Sequence, residues 1–176
     1  GIGRRQRQMC IRDSGGAGAD VLKLSTGSHV FSSDTNFANI ETIEANTAGS
    51  SVNLSAQTEG FTITGGAGID TIVGGQGINI ITGDEGDDII TGGAGADKLS
   101  GGFGADTFKF KVLDDEVDVI KDYEAGDKID VYDLLTNEGF QTYNAIEDGY
   151  IKLEQAGNDA YVCLLYTSDA ADDLYR

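Results

Sequence analysis

From Leu54 onward the chain places a large apolar residue at every ninth position: Leu54, Ile63, Ile72, Ile81, Ile90, Leu99 and Phe108. Asn53 and Ser55 flank the first of these, and Thr62 and Thr64 the second. That alternation belongs to a short, half-buried strand whose middle side chain points into a core. Triplets such as Thr71-Ile72-Val73 are also β-branched, which suits a pleated surface. Six glycine-rich residues separate successive triplets from residue 65 on, enough for a tight turn. A fixed period of this kind sets the architecture before local propensity does, because each unit buries its apolar face only against its neighbours. The pattern therefore predicts an all-β chain, a parallel β-solenoid built from three-residue strands.

The pattern weakens on either side. Ile40 and Ile43, in NIETIEANTAG, predict one more short strand or coil within 24–49. Residues 50–64 read as rungs that cover the open end of the roll. After Lys109 the period stops. Val117 and Val119, then Ile129 and Val131, predict two strands joined by a turn at Glu124-Ala125-Gly126-Asp127. Residues 149–162 read as a hairpin turning at Ala156-Gly157-Asn158.

A second ladder runs beside the apolar one. Residues 65–109 are five nonapeptides without insertion: GGAGIDTIV, GGQGINIIT, GDEGDDIIT, GGAGADKLS and GGFGADTFK. Their sixth positions are Asp70, Asn79, Asp88, Asp97 and Asp106, so an oxygen ligand recurs on the same lattice. A further unit, GGAGADVLK, occupies 15–23 and carries Asp20. Calcium is a hard cation that takes six to eight oxygens from carboxylates and carbonyls, which stacked turns of this composition offer.

These nonapeptides resemble the RTX, or haemolysin-type calcium-binding, repeat. The resemblance implies a right-handed parallel β-roll with a C-terminal β-strand cap. Two units make one coil, so residues 18 apart stack at roughly 4.8 Å. Asp70, Asp88 and Asp106 would then line one edge, with Asn79 and Asp97 on the other. Ca2+ is the implied cofactor, held by these side chains and by loop glycines Gly66, Gly68, Gly75, Gly77, Gly86, Gly93, Gly95, Gly102 and Gly104. About three ions are expected, between loops 65–70 and 83–88, 83–88 and 101–106, and 74–79 and 92–97. Asn79 lacks a charge, so the last of these should be weakest. Asp84, Glu85 and Asp87 add acids to one loop and read as solvated charges. VDVIKDYEAGDKIDVYDLL, at 117–135, resembles the segment that follows such arrays and reads as a cap over the last rung, with a further calcium site at Asp118, Asp122 or Asp127 as the alternative.

The family also implies a partner and a place: export through type I secretion machinery, to the exterior or the cell surface, as part of a larger bacterial protein. That parent would be structural, an extracellular hydrolase (metalloprotease, lipase or polysaccharide-modifying enzyme), or an adhesin or surface-layer protein. Residues 15–161 contain no H-E-x-x-H and no G-x-S-x-G, so the sequence offers no local catalytic centre. The glycine runs lack the lysine and following helix of a phosphate loop. His29, the single histidine, reads as a surface or satisfied residue rather than a ligand.

Charge changes the picture in one respect. With 30 acidic and 12 basic residues the chain carries −18, which disfavours nucleic acid and anionic membrane surfaces as partners. No apolar run reaches the 18 residues of a membrane span. Every arginine, both cysteines and the one methionine lie within 1–14 or 162–176. There QMCIRDS and VCLLYTSDAADDL resemble translated sequencing-adapter read-through, so both segments are read as non-native extensions. The expected organisation is then calcium-poor rungs at 15–64, the calcium array at 65–109 and a cap, cut short, at 110–161. One inward side chain per nine residues is too little apolar burial to outweigh the ordering entropy of a glycine-rich coil. Calcium is therefore expected to control folding.

Overall fold

The computed structural model describes residues 20–32, 40–45, 48–111 and 116–137, together with the backbone of strands at 151–156 and 159–164. The extension expected at 1–14, most of the isolated nonapeptide 15–23, and residues 165–176 lie outside these.

Strands alternate between two faces. One series comprises β1 (Val21–Lys23), β3 (Thr42–Glu44), β5 (Thr62–Ala67), β7 (Ile80–Glu85), β9 (Lys98–Phe103) and β11 (Val119–Ile120). These pair side by side in parallel within one sheet. The other series, β2 (Gly27–Val30), β4 (Ser50–Asn53), β6 (Thr71–Val73), β8 (Ile89–Thr91), β10 (Thr107–Lys109) and β12 (Lys128–Asp130), forms the opposite parallel sheet. The chain crosses from sheet to sheet at every turn, giving a β-solenoid of about five turns with almost no helix.

Within the array the register is the one the period predicts. Ile63 stacks on Ile81 and Leu99, and Ile72 on Ile90 and Phe108, each eighteen residues from the last. All six are fully buried, and they form a narrow core between the sheets with Ile43, Val52, Leu54, Phe61 and Ile120. Sealing each inward residue from water contributes about 1.5–3 kcal/mol.

Four details depart from the sequence reading. First, strands on the two faces differ in length: β6, β8 and β10 span three residues, whereas β5, β7 and β9 span six. The longer ones run on into the glycine turns, because Gly66, Asp84 and Gly102 stay in register, as do Ala67, Glu85 and Phe103. Second, the residue stacked on Ile72 is Val52, not Leu54. The coil there is twenty residues long, and Leu54 packs one step beyond, its N–H donating to the Val73 carbonyl at 2.9 Å. Third, the two strands expected after Lys109 are present as β11 and β12 with a turn at Glu124–Asp127 between them, but they lie in opposite sheets, with Ile120 over Leu99 and Ile129 over Phe108. Residues 117–130 are thus one more coil of the solenoid. Fourth, a short helix α1 (Tyr132–Asn137) follows β12, started by Asp130, whose carboxylate accepts the Tyr132 N–H at 3.1 Å. Leu134 of α1 is buried.

The hairpin read at 149–162 is present as β13 (Ile151–Ala156) and β14 (Asp159–Leu164). β14 pairs antiparallel with β11 and ends the parallel order of that sheet. It also takes in residues 162–164, which the sequence reading had set aside as non-native.

Candidate metal centre

The sixth position of each nonapeptide lies immediately before its strand triplet, at the corner where the coil turns. In the array every such side chain is buried: Asp70, Asn79, Asp88, Asp97 and Asp106 are at most 1% exposed. Eighteen-residue stacking sorts them onto two edges, as expected. On the first edge, the Asp70 N–H donates to Asp88 Oδ1 at 2.7 Å, and the Asp88 N–H to Asp106 Oδ1 at 2.8 Å. On the second, the Asn79 N–H donates to Asp97 Oδ1 at 2.7 Å. Each carboxylate thus caps the corner of the coil before it, while its own carbonyl accepts from the coil after it, as in Ile89 N–H to Asp70 at 2.9 Å.

Both ladders reach past the nonapeptides. At the early end, Ser50 N–H donates to Asp70 Oδ1 at 2.5 Å and Phe61 N–H to Asn79 Oδ1 at 3.0 Å. Ser50 therefore takes the ligand position of the preceding coil, a further consequence of its twenty-residue length. At the late end, Asp97 N–H donates to Asp118 Oδ1 at 2.9 Å and Asp106 N–H to Asp127 Oδ1 at 3.0 Å. Asp122 accepts from Gly101 N–H at 3.0 Å and Gly102 N–H at 2.9 Å, and from the Ser100 hydroxyl. The coil at 117–130 thus continues the acidic edge as well as the sheets. A twenty-one-residue step hides it from a search at fixed period.

One oxygen of each edge carboxylate is left over. Oδ2 of Asp70, Asp88 and Asp106 is buried and accepts no hydrogen bond. These oxygens sit over the first glycine of their own repeat. A Cβ on Gly65 would lie 2.7 Å from Asp70 Oδ2 and 2.5 Å from the carbonyl oxygen of Gly83 in the next coil. A Cβ on Gly83 would collide with Asp88 Oδ2 and lie 2.6 Å from the Gly101 carbonyl. Glycine is required there because an acidic oxygen and a main-chain oxygen converge on the space a side chain would fill. Both are acceptors only. Gathering them away from water is unfavourable unless something positive lies between them.

Electrostatics agrees. Burial pushes the carboxyls of Asp70 and Asp106 above their ordinary range. Asp88 is pushed up to about 6, by burial first and then by the neighbouring charges of Asp70, Asp106 and Asp87, against the lowering effect of the Asp70 N–H. Among the described residues no three His, Cys, Asp or Glu side chains gather at a single point. Carbonyls with one or two carboxylates per step form a donor set that calcium accepts and zinc does not. The Asp70–Asp88–Asp106 edge fits a calcium ion.

The remaining candidates fall elsewhere. Asp84, Glu85 and Asp87 are exposed, and Asp87 accepts the Ala105 N–H at 2.9 Å. Asp20 is half-buried ahead of β1, its N–H bonded to Glu41 Oε2 at 2.8 Å. Sheet order places it on the Asn79 and Asp97 edge, separated from them by the coils of Glu41 and Phe61. His29 lies on β2 and donates through Nε2 to the Ser25 carbonyl at 2.6 Å.

The RTX calcium-binding nonapeptide repeat family matches this chain in four copies, over residues 62–85 and 73–108. That stretch runs from the start of β5 into β10 and covers the buried ladder of Asp70, Asn79, Asp88, Asp97 and Asp106. The chain carries RTX repeats there, a calcium-binding structural repeat. No curated protein and no solved structure matches the chain.

Proposed function

We propose that this chain is a calcium-dependent folding module of a larger bacterial protein exported by a type I system, structural rather than catalytic in itself. The observation that carries the reading is the row of buried, unpartnered Oδ2 atoms on Asp70, Asp88 and Asp106, the first two converging with a main-chain oxygen of the next coil. Ions would lie between loops 65–70 and 83–88 and between 83–88 and 101–106, held by these carboxylates and the loop carbonyls. The same edge continues through Asp106 to Asp122 and Asp127, a further step where a cation would relieve like charge. Binding there ties successive coils together, so binding energy becomes folding energy. In a low-calcium cytoplasm most of the array would stay unfolded, and outside, at the millimolar calcium that suits weak extracellular modules, it would fold.

Asp88 belongs to both proposed steps and Asp70 to one. Calcium titration of the full chain, followed by circular dichroism, should therefore give a larger rise in midpoint for Asp88→Ala than for Asp70→Ala. Equal midpoints would contradict this ligand assignment.

A further inference from the structure

The two edges of the roll are not chemically equivalent. At the step between 74–79 and 92–97, Asn79 stands where Asp70 and Asp88 stand on the first edge. Its Oδ1 accepts the N–H groups of Phe61 at 3.0 Å and Gly75 at 3.4 Å. That fixes the orientation of the amide, since a flipped one would point its NH2 at two donors. Nδ2 consequently takes the place that Oδ2 takes in the aspartates, close to where a Cβ on Gly74 would lie. It donates to the Gly77 carbonyl at 2.6 Å and to Asp97 Oδ1 at 3.1 Å, with the carbonyls of Gly92 at 3.3 Å and Gly75 at 3.5 Å.

We propose that the Asn79 amide itself closes this step, so that it needs no calcium and takes none. The oxygens that would bind an ion are already occupied by N–H donors, and an amide NH2 offers a cation only repulsion. The roll then has a calcium edge through Asp70, Asp88 and Asp106, and on the other edge a stretch from Phe61 through Asn79 to Asp97 joined by hydrogen bonds that survive without metal. The second edge supplies a preformed seed: Phe61 and Asn79 stay hydrogen-bonded while the aspartate edge waits for ions. The inference rests on the calcium reading of the first edge, and its outcome is separable from that reading.

Two measurements on the full chain test it. By calorimetric titration with calcium chloride, Asn79→Asp should bind one more ion per chain than the native protein, because the substitution restores an oxygen facing oxygens. In chelator, amide hydrogen exchange of the native protein should show Phe61 and Asn79 protected while Asp70 and Asp88 are not, and Asn79→Asp should abolish that protection. An unchanged ion count in Asn79→Asp would overturn the proposal. So would equal exchange at the two edges of the native protein in chelator. A native chain that binds no calcium but keeps the Phe61 and Asn79 amides protected would refute the calcium edge and uphold the amide one.

Discussion

Asp84 has the only positive φ, 87°, among the described non-glycine residues. It occupies the second position of its nonapeptide, in register with Gly66 (φ 107°) and Gly102 (φ 99°). Glycine takes this conformation freely, whereas a residue with a Cβ is strained there, aspartate less than most. The side chain is exposed, so what it adds to the loop is charge at the cost of backbone strain. Replacing it should help the fold. Asp84→Gly is expected to raise the stability of the calcium-loaded protein by about 1 kcal/mol, read as a higher thermal midpoint. Asp84→Ala removes the same charge and keeps the strain, so it should gain less. Equal gains would show that charge rather than backbone sets the effect.

At the scale of the element, the ladder rather than the single carboxylate is what titrates. Asp88 sits between Asp70 and Asp106 and binds its proton near pH 6, well above its unfolded value. The folded, metal-free coil therefore holds protons more tightly than the unfolded chain does. That contribution is complete below about pH 4 and is lost as pH rises through 6. Calcium needs the same groups deprotonated, so its dependence runs the other way. Strand content in chelator should be greater at about pH 5 than at about pH 7.5, and the calcium midpoint should rise as pH falls through 6. A midpoint that ignores pH across this range would contradict burial as the cause of the shift.

The same scale explains what was legible in the sequence. From Ile63 to Phe108 the coil is eighteen residues long, so a constant step found both the core and the ligand edges. Where coil length changes, the step fails although the structure continues. Val52 replaces Leu54 against Ile72 across a twenty-residue coil, and Asp118 and Asp127 extend the ladders across twenty-one. The long strands β5, β7 and β9 were invisible because glycine is a poor strand former; there it pairs by virtue of stacking on its own repeats. Helix α1 directly follows the strand read from Ile129 and Val131, and a six-residue helix carries little periodic signal. At Asn79 the sequence shows the lost charge but not which way the amide points.

The whole molecule is a stack in which each coil is held by its neighbours alone, so stability resides in the steps between coils. Its core is one side chain wide from each sheet, and its polar edge is lined by buried carboxylates that repel one another. At the far end, the antiparallel pair β13 and β14 is added to β11 and covers that strand's pairing edge. On the proposed reading a cation is part of this fold, and removing it should unfold the acidic edge rather than merely loosen a loop. The most direct test is far-ultraviolet circular dichroism of the full chain in excess chelator and then in millimolar calcium. The account predicts a strand signal that is largely lost in chelator and restored by calcium but not by equal magnesium, which resists dehydration and demands tighter geometry. A strand signal equally strong with and without calcium would contradict it.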